Sequence, residues 1–220
     1  MSERDTFPIL PDSRPNAPVV IWLLGLTALP EILFTLTSRE IIPGTGLREW
    51  ALLHGAFWRG LLLDWEPLYA GQREAMFLTH AFLHGGLLHL VGNMVVVAAL
   101  GGIVVARLGQ GGFVLLYAVT AIGGGAAFGL ISDSTAPMVG ASGAVFGLFG
   151  AWKYWEFRAR RAAGAPLGPL VKFVIGLVVL NVLLWAALSG LVAWEAHLGG
   201  FIAGWAWAAL VTPRDRYRLD

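Results

Sequence analysis

Serine and histidine side chains in otherwise apolar stretches are the residues of this chain best suited to chemistry. Ser142 lies in one such stretch and His197 in another. A serine hydroxyl is a weak nucleophile unless a neighbouring base takes its proton, and the imidazole of histidine is suited to that task. If the fold brings Ser142 and His197 together, the pair predicts nucleophilic catalysis of acyl transfer.

Two further polar side chains could complete such a site. His89 and Asn93 are four residues apart and would share one face of a helix. The tetrahedral intermediate of acyl transfer needs hydrogen-bond donors for its oxyanion. We therefore predict His89 and Asn93 as oxyanion donors, together with the backbone N–H of Ser142, which is free if Ser142 begins its helix.

The predicted depth of these groups in a membrane is nearly the same. Their three segments should all run from outside to inside, so depth can be counted from the first basic residue at each inner end. At about 1.5 Å per residue, Asn93 lies about 21 Å, Ser142 about 24 Å and His197 about 26 Å above that end. Polar groups at such depth are costly, so they are candidates for function.

Glycine gives a reason to expect close contact between two of these segments. Gly200 and Gly204 follow His197 at i+3 and i+7, on one helical face. The segment of Ser142 has its own face of glycines, namely Gly143, Gly147 and Gly150. Small faces allow helix backbones to approach closely, so the two helices could bring hydroxyl and imidazole together.

Composition indicates that the elements positioning these residues are membrane helices. The 220 residues are 57% apolar and 13% charged, whereas soluble domains carry about 25% charged residues. A helix needs about 20 apolar residues to cross a membrane. Six spans are predicted, at Val19–Leu36, Phe82–Ala106, Gly112–Ile131, Val139–Phe157, Leu170–Leu188 and Trp194–Val211. Cysteine is absent, which excludes a Cys nucleophile and Cys-ligated zinc.

Basic residues predict the orientation of these spans. One side holds most of them: Arg4, Arg14, Arg107, Lys153, Arg158, Arg160, Arg161, Lys172, Arg214, Arg216 and Arg218. The other side holds Arg39, Arg48, Arg59 and Arg73. By the positive-inside rule both termini are cytoplasmic. The predicted domains are a cytoplasmic tail (1–18), a six-helix membrane domain (19–212) and a second cytoplasmic tail (213–220).

The first outer loop, from Thr37 to Leu78, contains an amphipathic pattern. Apolar residues recur there at steps of three and four between Leu47 and Trp65, which predicts a helix lying in the outer interface. Two roles stay open for it, a surface anchor or a part in admitting substrate from the bilayer. The sequence offers no explanation of Glu31 in the first span.

In three places the chain resembles the rhomboid intramembrane serine proteases. The matching stretches are His84 to Asn93 (HGGLLHLVGN), Gly140 to Gly143 (GASG) and Ala196 to Gly204 (AHLGGFIAG). The resemblance implies that Ser142 is the nucleophile, that His197 is the base of a dyad without an acid, and that His89 and Asn93 are oxyanion donors. It implies a structural role for His84.

Two features depart from the pattern of that family. Ala75-Met76 stands where the family often has a Trp-Arg pair, which affects the expected shape of the first loop. Phe146 stands where some members have a tyrosine that packs on the catalytic histidine. A phenyl ring can stack in the same way, so we expect little cost.

The prediction is therefore an all-α, polytopic, rhomboid-like serine endopeptidase of the cell (inner) membrane. Its expected partners are transmembrane protein substrates and the lipid bilayer, with no cofactor, no metal and no nucleic acid. Metal binding by His80, His84 and His89 is disfavoured because His84 and His89 are five residues apart, off one helical face. The alternatives are a non-catalytic rhomboid-like protein that binds membrane helices and a small-solute transporter, although the internal repeats usual in transporters are not seen.

Overall fold

Seven α-helices make up the part of the chain that the structure, a computed structural model, describes, residues 17–211. Two short 3₁₀ turns, Arg59–Leu62 and His80–Phe82, lie between them, and these described residues contain no β-strand. The helices are α1 (Pro18–Ser38), α2 (Leu47–Gly55), α3 (Gln72–Thr79), α4 (Leu87–Ile131), α5 (Ser142–Ala162), α6 (Gly168–Ala187) and α7 (Trp194–Val211). The predicted all-α class is confirmed. Of the predicted tails, residues 1–16 and 213–220 lie outside the described residues.

Three of the helices, α1, α4 and α6, are long and apolar enough to cross a membrane. As one straight helix, the 45 residues of α4 would be about 68 Å long, about twice the thickness of a hydrocarbon core. Its backbone leaves helical geometry at Gly109, where φ is 74° and ψ is 175°. Glycine adopts this conformation without steric cost. Helix α4 therefore consists of two arms that meet between the predicted second and third spans.

Two helices begin later than the sequence predicts. Helix α4 begins at Leu87 instead of Phe82, because Gly86 just before it has a φ of 136°. Helix α5 begins at Ser142, not three residues earlier, because Gly140 has a φ of 123°. At both glycines the backbone is outside right-handed helical geometry, so each helix can begin only after them.

Helices α4, α5 and α7 pack against one another and form the centre of the molecule, and α1 packs on α4. Large side chains such as Leu116, Leu148 and Trp155 are fully buried between them. Helix α6 packs little, mainly on α5, and Leu170 is its one buried residue among those described. The rest of α6 presents apolar side chains outward, as suits contact with lipid.

The amphipathic helix of the outer loop is shorter than predicted. Helix α2 ends at Gly55, ten residues before Trp65. The chain then becomes extended, because Phe57 and Met138 exchange two backbone hydrogen bonds, each 2.9 Å long. Helix α3, which was not predicted from the sequence, follows in the same loop. The backbone pair fastens this loop to the segment just before α5.

Candidate functional site

Ser142 is the first residue of α5, so its backbone N–H has no carbonyl partner within the helix. The turn before Ser142 is held by hydrogen bonds to the segment that precedes α4. The N–H of Gly140 donates to the His80 carbonyl oxygen at 2.9 Å, and the N–H of Ala141 donates to Nε2 of His84 at 3.4 Å. His84 thus supports the turn that presents Ser142, in line with the structural role expected of it.

His197 lies in the first turn of α7 and is 8% exposed. Its ring stacks on Phe146, with ring centroids 4.2 Å apart and planes 2° from parallel. Phe146 is one helical turn after Ser142 and lies on the same face of α5. The expected stacking is therefore present, and it places the imidazole beside the N-terminal turn of α5.

Glycines allow α5 and α7 to touch along their backbones. A Cβ atom added to Gly200 would lie 1.9 Å from the Gly143 carbonyl oxygen, and one added to Gly204 would lie 1.9 Å from the Gly147 carbonyl oxygen. Neither position could hold a larger residue without parting the helices. The predicted packing of the two glycine faces is confirmed.

Ser142 and His197 thus lie on neighbouring helix ends that pack together. Among the contacts of the described residues, no hydrogen bond joins the Ser142 hydroxyl to the imidazole. Such bonds are often long before substrate binds and shorten in the reacting complex. The arrangement places a hydroxyl and a potential base in the same small region.

His89 and Asn93 lie beside the turn that precedes Ser142. A Cβ atom on Gly140 would be 2.8 Å from Nε2 of His89 and 3.8 Å from Nδ2 of Asn93. Nδ2 of Asn93 donates to the His89 carbonyl oxygen at 3.1 Å. An amide nitrogen carries two hydrogens, so a second hydrogen remains for an acceptor in the site.

His84 and His89 lie close together, contrary to the expectation from their five-residue spacing. His84 precedes α4 and is not on its face, and the two rings lie 5.0 Å apart between centroids. A metal site would need further ligands. Within the described part of the chain, no group of three or more His, Cys, Asp or Glu side chains could hold a metal ion.

Glu31 has a partner that was not predicted from the sequence. It is fully buried, and its two carboxylate oxygens accept hydrogen bonds of 2.7 and 3.0 Å from Arg48 of α2. Arg48 also donates to the His84 carbonyl oxygen at 3.1 Å. The ion pair therefore connects α1 and the outer loop to the residues that support Ser142. An acidic residue in a predicted span and an arginine in the loop that follows it could together have indicated this ion pair.

Asn181 of α6 forms an interhelical hydrogen bond, as polar residues in apolar membrane helices commonly do. Its partner is His197, because Oδ1 of Asn181 is hydrogen-bonded to the imidazole Nδ1. The sequence of α6 does not indicate this partner. The contact adds α6 to the helices that surround the site.

Comparison with known proteins agrees with the motifs. The family model described as the Rhomboid domain matches residues 72–214. The chain is also 30% identical over 149 residues to RHOMBOID-like protein 6, mitochondrial, of Arabidopsis thaliana. That match covers 64% of this chain and 45% of the relative, so the chain spans less than half of the relative's length. The matched domain includes all four predicted site residues, and the chain belongs to the rhomboid family.

Proposed function

We propose that the chain is an intramembrane serine endopeptidase that cleaves transmembrane segments of single-span membrane proteins. One observation carries the proposal. Helices α5 and α7 pack with their backbones in contact, and this packing brings the imidazole of His197 beside the helix turn that begins at Ser142. A serine hydroxyl next to an imidazole base is the combination needed for nucleophilic catalysis.

In the proposed reaction, Oγ of Ser142 attacks the carbonyl carbon of the scissile bond while Nε2 of His197 accepts the hydroxyl proton. The C–N bond then breaks, and His197 gives that proton to the leaving amine. The product is an acyl-enzyme ester on Ser142. A water molecule attacks the ester, the imidazole takes a proton from the water and returns it to Oγ, and the carboxylic acid leaves.

The carbonyl oxygen becomes negative during each attack and needs donors. We assign this role to the backbone N–H of Ser142 and to the side chains of His89 and Asn93. Their position beside Gly140 supports the assignment, because this turn leads directly into the nucleophile. The absence of a Cβ at Gly140 leaves room for the His89 ring.

The proposed arrangement in the membrane has six spans, formed by α1, the two arms of α4, α5, α6 and α7. Both termini are cytoplasmic, as the distribution of basic residues favours, and the proposed membrane is the cell (inner) membrane. Substrate reaches the site sideways from the bilayer. Because helical backbone resists cleavage, good substrates have Gly or Pro near the cut, which weaken the helix.

The test compares Ser142→Ala, His197→Ala and the double variant with wild type, in detergent and in liposomes. A panel of tagged single-span proteins serves as substrate, and new termini are mapped. Each single variant should lose about 10⁴-fold or more in rate, and the double variant should lose little more, because the two groups act as a unit. A fluorophosphonate should label Ser142 in wild type only.

Clear cleavage by a pure Ser142→Ala preparation would contradict the proposed mechanism. The alternative, a non-catalytic rhomboid-like protein that binds membrane helices, predicts a different pattern. Such a protein would bind the same substrates, but the fluorophosphonate would not label it and no new terminus would appear. Wild-type labelling that depends on His197 therefore separates the two functions.

A further inference from the structure

The hydrogen bond between α6 and α7 involves Nδ1 of His197, whereas Nε2 is the nitrogen that reacts in the proposed mechanism. Asn181 lies in α6, a helix in which Lys172 is the one charged residue. Its amide oxygen is bonded to Nδ1 of His197. The contact therefore leaves Nε2 available to face Ser142.

The second hydrogen bond of Asn181 fixes which way its amide points. Nδ2 donates to the Leu177 carbonyl oxygen at 3.0 Å. A carbonyl oxygen only accepts, so the NH₂ group must face Leu177 and the amide oxygen must face His197. The amide oxygen cannot donate, so the hydrogen of this bond belongs to Nδ1. In a neutral imidazole with its hydrogen on Nδ1, Nε2 is unprotonated and can accept the serine proton.

Two contacts together determine the orientation of the ring. Stacking on Phe146 fixes the plane of the imidazole, but a stacked ring can still rotate within that plane or turn over. The bond from Nδ1 to Asn181 removes this freedom, because only one edge of the ring then faces α6. The base is consequently held in one tautomer and one orientation.

We propose, on the basis of the function proposed above, that Asn181 is a positioning residue for the base. It holds His197 with its hydrogen on Nδ1 and with Nε2 directed toward Ser142. The dyad is then a three-residue arrangement in which a neutral amide of α6 takes the place that a carboxylate has in serine proteases with an acid. A merely structural Asn181 would instead serve only to attach α6, which has little other packing.

The experiment measures Ser142 reactivity in Asn181→Leu and Asn181→Asp. Leucine keeps the branched shape of asparagine but has no acceptor, so it should lower kcat and the rate of fluorophosphonate labelling by about 10- to 100-fold, the loss that is typical when a metal-binding histidine loses the partner that orients it. KM should stay within about threefold of wild type, because Asn181 acts on the base and not on substrate. Aspartate keeps an acceptor for Nδ1 and should restore labelling to within about threefold.

Phe173→Leu provides the matched control, since it removes a packing contact of α6 with α5 but leaves the hydrogen bond between Asn181 and His197 in place. The Phe173 ring packs on Phe149 and Trp152, with centroids 5.5 and 5.6 Å away. A small water-soluble fluorophosphonate does not require lateral entry, so Phe173→Leu should be labelled at the wild-type rate. If Asn181 only attaches α6, the two leucine variants should behave alike.

The outcomes separate this inference from the function on which it rests. Wild type that neither cleaves substrate nor labels at Ser142 would overturn the proposed function and the inference with it. Active wild type together with Asn181→Leu that labels at the wild-type rate would overturn the inference alone. Slow labelling of Asn181→Leu, rescue by Asn181→Asp and normal labelling of Phe173→Leu would establish the positioning role.

Discussion

Substitution of Gly200 by alanine tests whether the close packing of α5 and α7 is necessary for activity. The added Cβ would meet the Gly143 carbonyl oxygen at 1.9 Å, whereas an ordinary carbon–oxygen contact is about 3.3 Å. Both groups are attached to helix backbone, so no side-chain rotation can relieve the contact. The two helices must part locally by about 1.4 Å to accommodate the methyl group.

That displacement should affect rate more than stability. Overpacking costs about 1–3 kcal/mol, and the better helix propensity of alanine returns about 1 kcal/mol. The protein should therefore still fold. A misplacement of about 1 Å between reacting groups can cost about 10²-fold in rate, and His197 is three residues before Gly200 on the displaced helix. We expect kcat/KM to fall by about 100-fold.

The assay measures cleavage of one transmembrane substrate, labelling of Ser142 and thermal unfolding in the same detergent. Gly102→Ala is the matched control, because Gly102 also lies within a helix, α4, and a Cβ added there meets nothing within 4 Å. It should react as wild type and melt at the same or a slightly higher temperature. Equal rates for Gly200→Ala and Gly102→Ala would refute the argument that close backbone contact aligns the site.

Loss of one oxyanion donor costs about 10²–10³-fold in rate. His89→Ala and Asn93→Ala should each slow cleavage by less than this, because the other side chain remains. Wild-type rates in both variants would remove these residues from the mechanism. Arg48→Met leaves the buried Glu31 carboxylate unpaired and should lower the unfolding free energy by about 3 kcal/mol, with recovery when Glu31→Gln is added, as denaturant titration in detergent measures. Unchanged stability in Arg48→Met would show that the pair contributes nothing. A reporter fused at Asp220 should read as cytoplasmic, since basic residues concentrate on that side; an external reading would contradict the topology.

Helix positions and helix contacts are the part of the fold that local sequence could predict. Apolar length identifies the helices of membrane-spanning size, and the spacing of Gly200 and Gly204 after His197 indicates the face that packs on α5. These signals are local because a helical face repeats every few residues. The predicted agreement in depth among Asn93, Ser142 and His197 also rests on local sequence, since it is counted from the next basic residue with the helical rise per residue.

The outer loop and the supporting contacts could not be predicted in the same way. The apolar stripe after Leu47 continues past Gly55, yet α2 stops there because Phe57 pairs with Met138, a residue far along the chain. The bond between Asn181 and His197 and the ion pair of Glu31 are likewise long-range. No periodicity specifies such a partner, so a polar residue in a span indicates only that some partner exists.

The sparse packing of α6 makes the position of this helix sensitive to bilayer thickness. Its 20 residues extend over about 30 Å, close to the thickness of a hydrocarbon core. A helix with few protein contacts responds to hydrophobic mismatch by tilting, and any tilt of α6 moves Asn181 relative to the imidazole. If Asn181 positions the base as proposed, we expect acyl-chain length to act on His197 through this hydrogen bond, so cleavage rates should differ between lipids of different chain length.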